Sequence, residues 1–191
     1  MLEKLPEMVG LALGVRPGLE GLVINDPALG DIPEEISLTS PAFAEGGQLP
    51  IRFTMDGESI SPPLHWVGVP ENAAELVLLI EDADSPTLNP LVHAIVWRIA
   101  PGDGALEEGA MPIETEQVLS PSMGVNSYLR IGYLPPDPPA GHGSHRYAFQ
   151  IFALAAPLTI ETIAPGRTEL VDALRVHALA KGLLIATYER S

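Results

Sequence analysis

The chain has 191 residues, no cysteine and a formal net charge of −15 at pH 7 with histidine counted as neutral. The absence of cysteine excludes disulfides, thiolate nucleophiles and Cys-ligated metal sites. The acidic balance argues against binding to nucleic acid or to an anionic membrane surface, because phosphate contacts are made largely by Lys and Arg.

No apolar run approaches the ~20 residues that a membrane-spanning helix needs. The short apolar stretch at 8–15 is followed by Arg16, where a secretory cleavage site would have a small residue. We therefore expect a protein of the cytoplasm with no membrane span.

Residues 1–35 are predicted to form a helical N-terminal extension and a linker, separate from a domain that covers 36–191. The linker is the polar, proline-containing stretch at 25–33. The helix would bury its apolar stripe on the domain or on a second copy of the chain, so a homodimer is compatible with this pattern. The stripe consists of Leu5, Met8, Val9, Ala12 and Leu13.

The segment from residue 36 onward has the pattern of a mainly β domain. Alternating or apolar runs predict strands at 51–55, 76–80, 93–99 and 146–153. The run 76–80 is apolar on both faces, which is typical of a central strand in a layered fold. Strict alternation would place all odd-numbered residues of 93–99 on one face.

The C-terminal part is predicted to contain one helix and one short strand. Thr168 is a candidate N-cap for a helix that runs to Lys181, and Gly182 is the candidate stop. A short final strand is predicted at 183–188.

Polar side chains gather where the predicted strands begin or end. The first group directly follows the buried run, the second opens the next strand, and the third begins the strand after that. In chain order they are Asp82 and Asp84 with the turn-forming Pro86, then His93, then His145 and Tyr147.

The loop at 134–143 is stiffened by its prolines. Gly141 and Gly143 permit unusual dihedral angles, so the N–H groups of 140–144 could converge on an anion. His142 is expected to be solvated, and the ring of His145 to be partly exposed.

These side chains suit two kinds of chemistry. Imidazolium, phenol and backbone N–H groups together would bind a phosphate or a carboxylate. Asp82, His93 and His145 also fit a two-His, one-carboxylate metal site, which is the basis of a metal-assisted or His-based hydrolase as an alternative. No GxSxG, GxxxxGK[ST] or GxGxxG motif occurs, which favours a binding module over an enzyme and gives no reason to expect a cofactor.

Taken together, the motifs of residues 36–190 resemble the phosphatidylethanolamine-binding protein family, in its bacterial Raf-kinase-inhibitor-like branch. The resemblance rests on their order and spacing. They are Leu38-Thr-Ser-Pro-Ala-Phe43, Asp56-Gly57, Ser61-Pro-Pro-Leu-His-Trp66, Asp82-Ala-Asp84-Ser-Pro86, His93, Asn126-Ser127, Gly132-Tyr133, Pro138-Pro-Ala-Gly141 and His145-Arg-Tyr147.

The resemblance implies an antiparallel Greek-key β-sandwich with a few peripheral helices. It also implies a small surface pocket that accepts phosphate, acetate or a phosphoryl head group. Carried over to matching positions, the family's pocket motifs point to Asp82, Asp84, Pro86, His93, His145 and Tyr147.

Two positions depart from the family pattern. Ala83 stands where a proline is usual, and Asp137 precedes Pro138 and Pro139 where a small residue is usual. The carboxylate of Asp137 would narrow an anion pocket or accept from a ligand amine, so Asp137 joins the candidate ligand-binding residues. We expect a soluble protein that binds a small anionic or phosphorylated ligand and regulates a partner protein. Inhibition of a kinase or protease through surface loops is the other alternative.

Overall fold

The strands form two antiparallel sheets that face each other. A computed structural model describes residue 14 and residues 16–115, 121–160 and 162–190. The strands are β1 (Ser37–Thr39), β2 (Leu64–Val67), β3 (Glu75–Asp82), β4 (Leu91–Ile99), β5 (Gly104–Leu106), β6 (Ser122–Met123), β7 (His145–Leu154) and β8 (Ala178–Tyr188). The helix α1 spans Arg167–His177, and 3-10 turns lie at Leu19–Gly21, Val23–Asn25, Pro27–Leu29 and Ile51–Phe53.

The smaller sheet has the strand order β1-β2-β5, and the larger has the order β6-β4-β3-β7-β8. The strands β3 and β7 are neighbours although β4, β5 and β6 lie between them in the sequence. The central strand β3 is buried along its whole length. The predictions of a mainly antiparallel β fold with few helices, and of a central strand at 76–80, are confirmed.

The large sheet is covered on both faces. Leu78 and Ile80 of β3 share an apolar cluster with Trp66 of β2, between the two sheets. On the opposite face, Leu79 shares a cluster with Leu174 of α1. Because successive strand residues point to opposite faces, β3 supplies side chains to both layers of the core.

Residues 19–29 form 3-10 turns that pack against the outer face of the large sheet. Val23 and Ile32 are buried in the same cluster as Leu79. Much of the predicted linker therefore has a packed structure. The helix predicted for the first 13 residues lies outside the described residues, and the division of the chain at residue 36 stays a prediction.

The strand predicted at 51–55 is wrong, because Ile51–Phe53 form a 3-10 turn. Phe53 is buried, whereas Ile51 is 59% exposed. The amide and the hydroxyl of Thr54 both donate to the carbonyl of Ile51. Local hydrogen bonds thus take the place of strand pairing. The apolar alternation in 51–55 serves to bury one aromatic side chain, that of Phe53.

The predicted C-terminal helix is wrong at both ends. The helix α1 begins after Gly166 rather than at Thr168, and it gives way to β8 at Ala178. The predicted short final strand is part of β8, and Gly182 lies inside that strand. A Cβ on Gly182 would lie 2.2 Å from the carbonyl oxygen of Ile36. The close approach of two backbones, rather than the end of a helix, therefore requires glycine here.

The strand β4 contains one extra residue at His93. Ile80 pairs with Ala94 but Glu81 pairs with Val92, so the register shifts by one residue. A bulge of this kind redirects the side chain at the insertion. The prediction that all odd-numbered residues of β4 share one face is therefore wrong.

Glu81 is a buried carboxylate that connects three parts of the fold. Its Oε2 accepts from the N–H of Val23 at 2.9 Å and from Nε2 of Gln150 at 2.8 Å. Its Oε1 accepts from Nε of Arg167 at 2.8 Å. The donors belong to the N-terminal segment, β7 and α1, so one side chain fastens the outer layer to the central strand.

We expect Glu81→Ala to lower the free energy of unfolding by about 3 kcal/mol or more, because removal of one partner leaves the buried donors unpaired. The matched control is Glu58→Ala, which breaks an exposed ion pair of 3.5 Å with Arg52 and should cost about 0–1 kcal/mol. Urea denaturation measures both values. Equal destabilisation by the two substitutions would contradict the role given to Glu81.

Candidate ligand-binding site

Asp82 ends β3, and both oxygens of its carboxylate have hydrogen-bond donors. Oδ1 accepts from the backbone N–H of Asp84 at 2.8 Å. Oδ2 accepts from Nδ1 of His145 at 2.7 Å. Asp82 is only 4% exposed, and these two bonds offset the cost of removing its carboxylate from water.

His145 connects Asp82 to a second histidine. Its ring is buried, so the expected partial exposure is wrong. Nε2 of His145 lies 2.6 Å from Nδ1 of His142, which is also buried and not solvated as predicted. The backbone N–H of His142 donates to the carbonyl of Pro139, so this amide does not contribute to the predicted anion nest. No feature of the loop sequence indicated that its two histidines would bond to each other.

His93 is held by the backbone of Leu134. Nδ1 of the ring lies 2.6 Å from the carbonyl oxygen of Leu134, whose amide donates back to the carbonyl of His93 at 2.7 Å. A carbonyl oxygen can only accept, so Nδ1 carries a hydrogen and Nε2 of the neutral ring has a lone pair. Nε2 is buried and has no hydrogen-bond partner among the described residues.

Tyr147 faces the same cavity from β7. Its ring lies edge-on to that of His93 with 5.2 Å between centroids, and its buried hydroxyl has no partner in the described part of the chain. The cavity has a volume of about 30 Å³, which is room for a small polar group. It is lined by Asp82, Ser85, Pro86, Leu91, His93, Tyr128, Leu134, Pro135, Asp137, Pro138, Pro139, His145 and Tyr147.

The structure brings six of the seven predicted site residues to this cavity. The exception is Asp84, whose carboxylate accepts from Nε and Nη2 of Arg146, each at 2.7 Å. Burial alone would raise the pKa of Asp84, but the bonds from Arg146 lower it. Asp84 therefore anchors the start of β7. Ligand contact by the other six residues stays a prediction.

Asp137 reaches the cavity wall from the proline-rich loop. Its carboxylate forms an ion pair with Arg190, whose guanidinium also donates to Asp56. The positive charge of Arg190 offsets much of the repulsion that Asp137 would otherwise exert on an anion.

Burial determines the protonation of the two groups without partners. Burial lowers the pKa of His93, against the opposing charge of Asp82, so the ring is neutral near pH 7. Burial also raises the pKa of Tyr147 well above its ordinary value, and the charge of Asp82 adds to this effect. These two groups therefore present an acceptor nitrogen and a hydroxyl donor to the cavity.

The hypothetical metal site would need Asp82, His93 and His145 to face one ion. Both ring nitrogens of His145 are engaged, with Asp82 and with His142, and Nδ1 of His93 is engaged with Leu134. Within the ranges that the structure describes, no group of three His, Asp or Glu side chains could hold a metal ion.

Comparison with known proteins assigns the chain to a family. The profile described as phosphatidylethanolamine-binding protein matches residues 39–189. The chain belongs to the phosphatidylethanolamine-binding protein family. The resemblance inferred from the motifs is thereby confirmed.

Relatives of this family member occur in archaea and bacteria. A UPF0098 protein of Pyrococcus abyssi is 35% identical over 176 residues, which cover 91% of this chain and 97% of the relative. A protein of Mycobacterium tuberculosis named as a lipoprotein, LppC, is 36% identical over 156 residues, covering 82% of this chain and 73% of LppC. The crystal structure of the phosphatidylethanolamine-binding protein homologue CT736 from Chlamydia trachomatis has a TM-score of 0.73 and 35% identity, covering 83% of this chain and 99% of CT736.

The compartment of this phosphatidylethanolamine-binding protein family member stays a prediction. Across the residues described, no helix has the length and apolar character needed to cross a membrane.

Arg16 contacts the site although it precedes the part of the chain that matches the family profile. Its Nη1 donates to the carbonyl of Ser144 at 3.0 Å, and its Nη2 donates to the carbonyl of His142. The guanidinium also lies 3.5 Å from the carboxylate of Asp84. The N-terminal segment thus helps to hold the loop that carries the two bonded histidines, a contact that no local sequence pattern indicated.

The buried, neutral His93 should make the fold sensitive to acid. The unfolded chain binds a proton at His93 below the ordinary pKa of 6.5, but the folded protein does so only at a lower pH. This contribution to stability is therefore full above pH 6.5 and is lost as the pH falls toward the lowered pKa, by up to about 1.4 kcal/mol per pH unit.

We expect the Tm of His93→Gln to change less between about pH 7 and pH 5 than that of the wild type, because the substitution removes this titrating group. The control is His65→Gln, on an exposed position of β2, which should follow the wild type. Thermal denaturation across this range checks the prediction. Parallel curves for all three proteins would contradict it.

Proposed function

We propose that this protein binds a small oxyanion, namely a phosphoryl or carboxylate group, in the cavity at the end of β3. The observation that carries the proposal is the pair of buried polar atoms without partners, Nε2 of His93 and the hydroxyl of Tyr147, on one small cavity. Buried polar atoms normally have hydrogen-bond partners, and leaving one unsatisfied costs about 1–3 kcal/mol. A ligand that bonds to both atoms removes that cost.

The charges around the cavity are compatible with such a ligand. Asp82 is already bonded to His145 and to a backbone amide, and Asp137 is paired with Arg190. Neither carboxylate therefore acts on the ligand as an unpaired charge. The family is named for a lipid with a phosphoryl head group, which supports the same ligand chemistry.

The absence of a recognised catalytic motif favours a binding module. Regulation of a partner protein and formation of a homodimer stay predictions, as do the hydrolase and inhibitor alternatives.

Inorganic phosphate tests the proposal through two tyrosine variants. We expect Tyr147→Phe to weaken phosphate binding by about tenfold or more, because a hydrogen bond to a charged group is lost, and to leave the Tm of the protein without phosphate nearly unchanged, because the hydroxyl has no protein partner to lose. Isothermal titration calorimetry gives the affinity, and thermal denaturation without phosphate gives the Tm.

The matched control is Tyr133→Phe. The hydroxyl of Tyr133 donates to the carbonyl of Phe53 at 3.0 Å, away from the cavity lining. This variant should lose about 1 kcal/mol of stability and keep its phosphate affinity. Wild-type protein that shows no binding of phosphate, or equal affinities in the Tyr147→Phe variant and the wild type, would refute the proposal.

A further inference from the structure

The cavity proposed to bind the ligand is lined without the permanently charged side chains that usually bind anions, within the part of the chain that the structure describes. Among the described residues that line it, none is lysine or arginine. Arg190 is engaged with Asp137 at the wall. Proteins usually bind fully deprotonated oxyanions with cations or with several N–H donors. The described lining has no such cation, and Nε2 of His93 accepts rather than donates, so a ligand that bonds to Nε2 must itself supply the donor.

The tautomer of His93 indicates where that donor is needed. Nδ1 donates to the carbonyl of Leu134 at 2.6 Å, so the neutral ring presents only a lone pair at Nε2. An oxyanion oxygen without a proton can only accept a hydrogen bond, so it could form none with this nitrogen, which is also an acceptor. The bulge in β4 and the two bonds to Leu134 fix the ring in this orientation.

We infer that the cavity selects an oxyanion that still carries a proton, such as the monoanion of a phosphomonoester, over an oxyanion without one, such as a sulfate ester. This inference rests on the proposed function and specifies its class of ligand. The P–O–H group donates to Nε2 of His93, and the hydroxyl of Tyr147 donates to a second oxygen of the same group. The proton stays on the ligand oxygen in this hydrogen bond, and no covalent bond to phosphorus is formed or broken.

The pKa shifts of His93 and Tyr147 both favour this arrangement. Burial lowers the pKa of His93, against the opposing charge of Asp82, so the ring resists taking up a proton from solvent that it could donate to a ligand without one. The raised pKa of Tyr147 keeps its hydroxyl available as a donor. The titratable groups on the cavity beside His93 are Asp82 from β3, His145 and Tyr147 from β7, Tyr128, and Asp137 from the proline-rich loop.

Methyl phosphate and methyl sulfate form a matched pair of probes. At low pH both are monoanions of nearly the same shape, and they differ in one O–H group. We expect methyl phosphate to bind the wild type at least about tenfold more tightly at pH 5.5, the equivalent of one hydrogen bond that involves a charged group. Its affinity should then fall by about tenfold per pH unit above its second pKa near 6, as the ligand loses that proton. Isothermal titration calorimetry at pH 5.5, 6.5 and 7.5 measures both effects.

The variant His93→Gln tests whether the ring nitrogen is responsible. A glutamine amide can donate as well as accept, so the ratio of the two affinities should move toward one and the pH dependence of the ratio should disappear. The control His65→Gln should behave as the wild type. If His93→Gln does not fold, Tyr147→Phe provides the second variant. It should weaken both esters equally and keep their ratio, because both ligands accept from that hydroxyl.

Equal affinities of the two esters for the wild type at all three pH values would overturn the inference and leave the proposed function standing. Wild-type protein that binds neither ester nor inorganic phosphate would overturn both.

Discussion

A carboxylate that is buried away from water needs hydrogen-bond donors. Three such carboxylates lie at one end of the central strand β3. Because strand side chains alternate, Glu81 points to the outer face of the large sheet while Asp82 points to the cavity. Asp84 follows in the turn beyond. Each carboxylate has its own donors, as burial requires, and at least one donor to each lies on β7. The donors come from Arg167, Gln150 and Val23 for Glu81, from His145 and a backbone amide for Asp82, and from Arg146 for Asp84, which also forms an ion pair with Arg16.

The arrangement connects the stability of the fold to the geometry of the site. The bonds of Glu81 hold the N-terminal segment and α1 on the sheet, and those of Asp82 fix the ring of His145 at the start of β7. On the other side of β3, the bulge at His93 turns that ring toward the cavity, where Leu134 binds it from the loop. Nε2 of His93 and the hydroxyl of Tyr147, which have no partner among the described residues, lie on side chains held in place by this scaffold. Binding groups fixed in advance lose less conformational entropy when a ligand arrives.

Sequence patterns predicted the parts of this structure that depend on burial and local chemistry. The apolar run at 76–80 indicated a central strand because both of its faces are covered. The polar residues at strand ends indicated a site because adjacent antiparallel strands bring such ends together. Features that depend on long-range contacts were not predictable in this way. The local sequence predicted that Gly182 ends a helix. Glycine is required there instead because the backbone of Ile36 leaves no space for a Cβ.

The details of the site were hidden for the same reason. A one-residue insertion in β4 leaves the hydrophobic alternation intact, so the redirected side chain of His93 had no signature in the sequence. The bond between His142 and His145 depends on a loop conformation that is fixed partly by Arg16, more than a hundred residues away in the chain. Asp84 was grouped with Asp82 by motif, but Arg146 lies close enough to turn its carboxylate away from the cavity.

Ligand binding as proposed depends on a lone pair that His93 presents to the cavity. Long-range proton–nitrogen NMR correlation of the imidazole rings at pH 7, in ¹⁵N-labelled protein without ligand, tests it directly. We expect a protonated Nδ1 and an unprotonated Nε2 for His93, as the bond to the carbonyl of Leu134 requires. A proton on Nε2 would contradict it, because the cavity would then present a donor to its ligand.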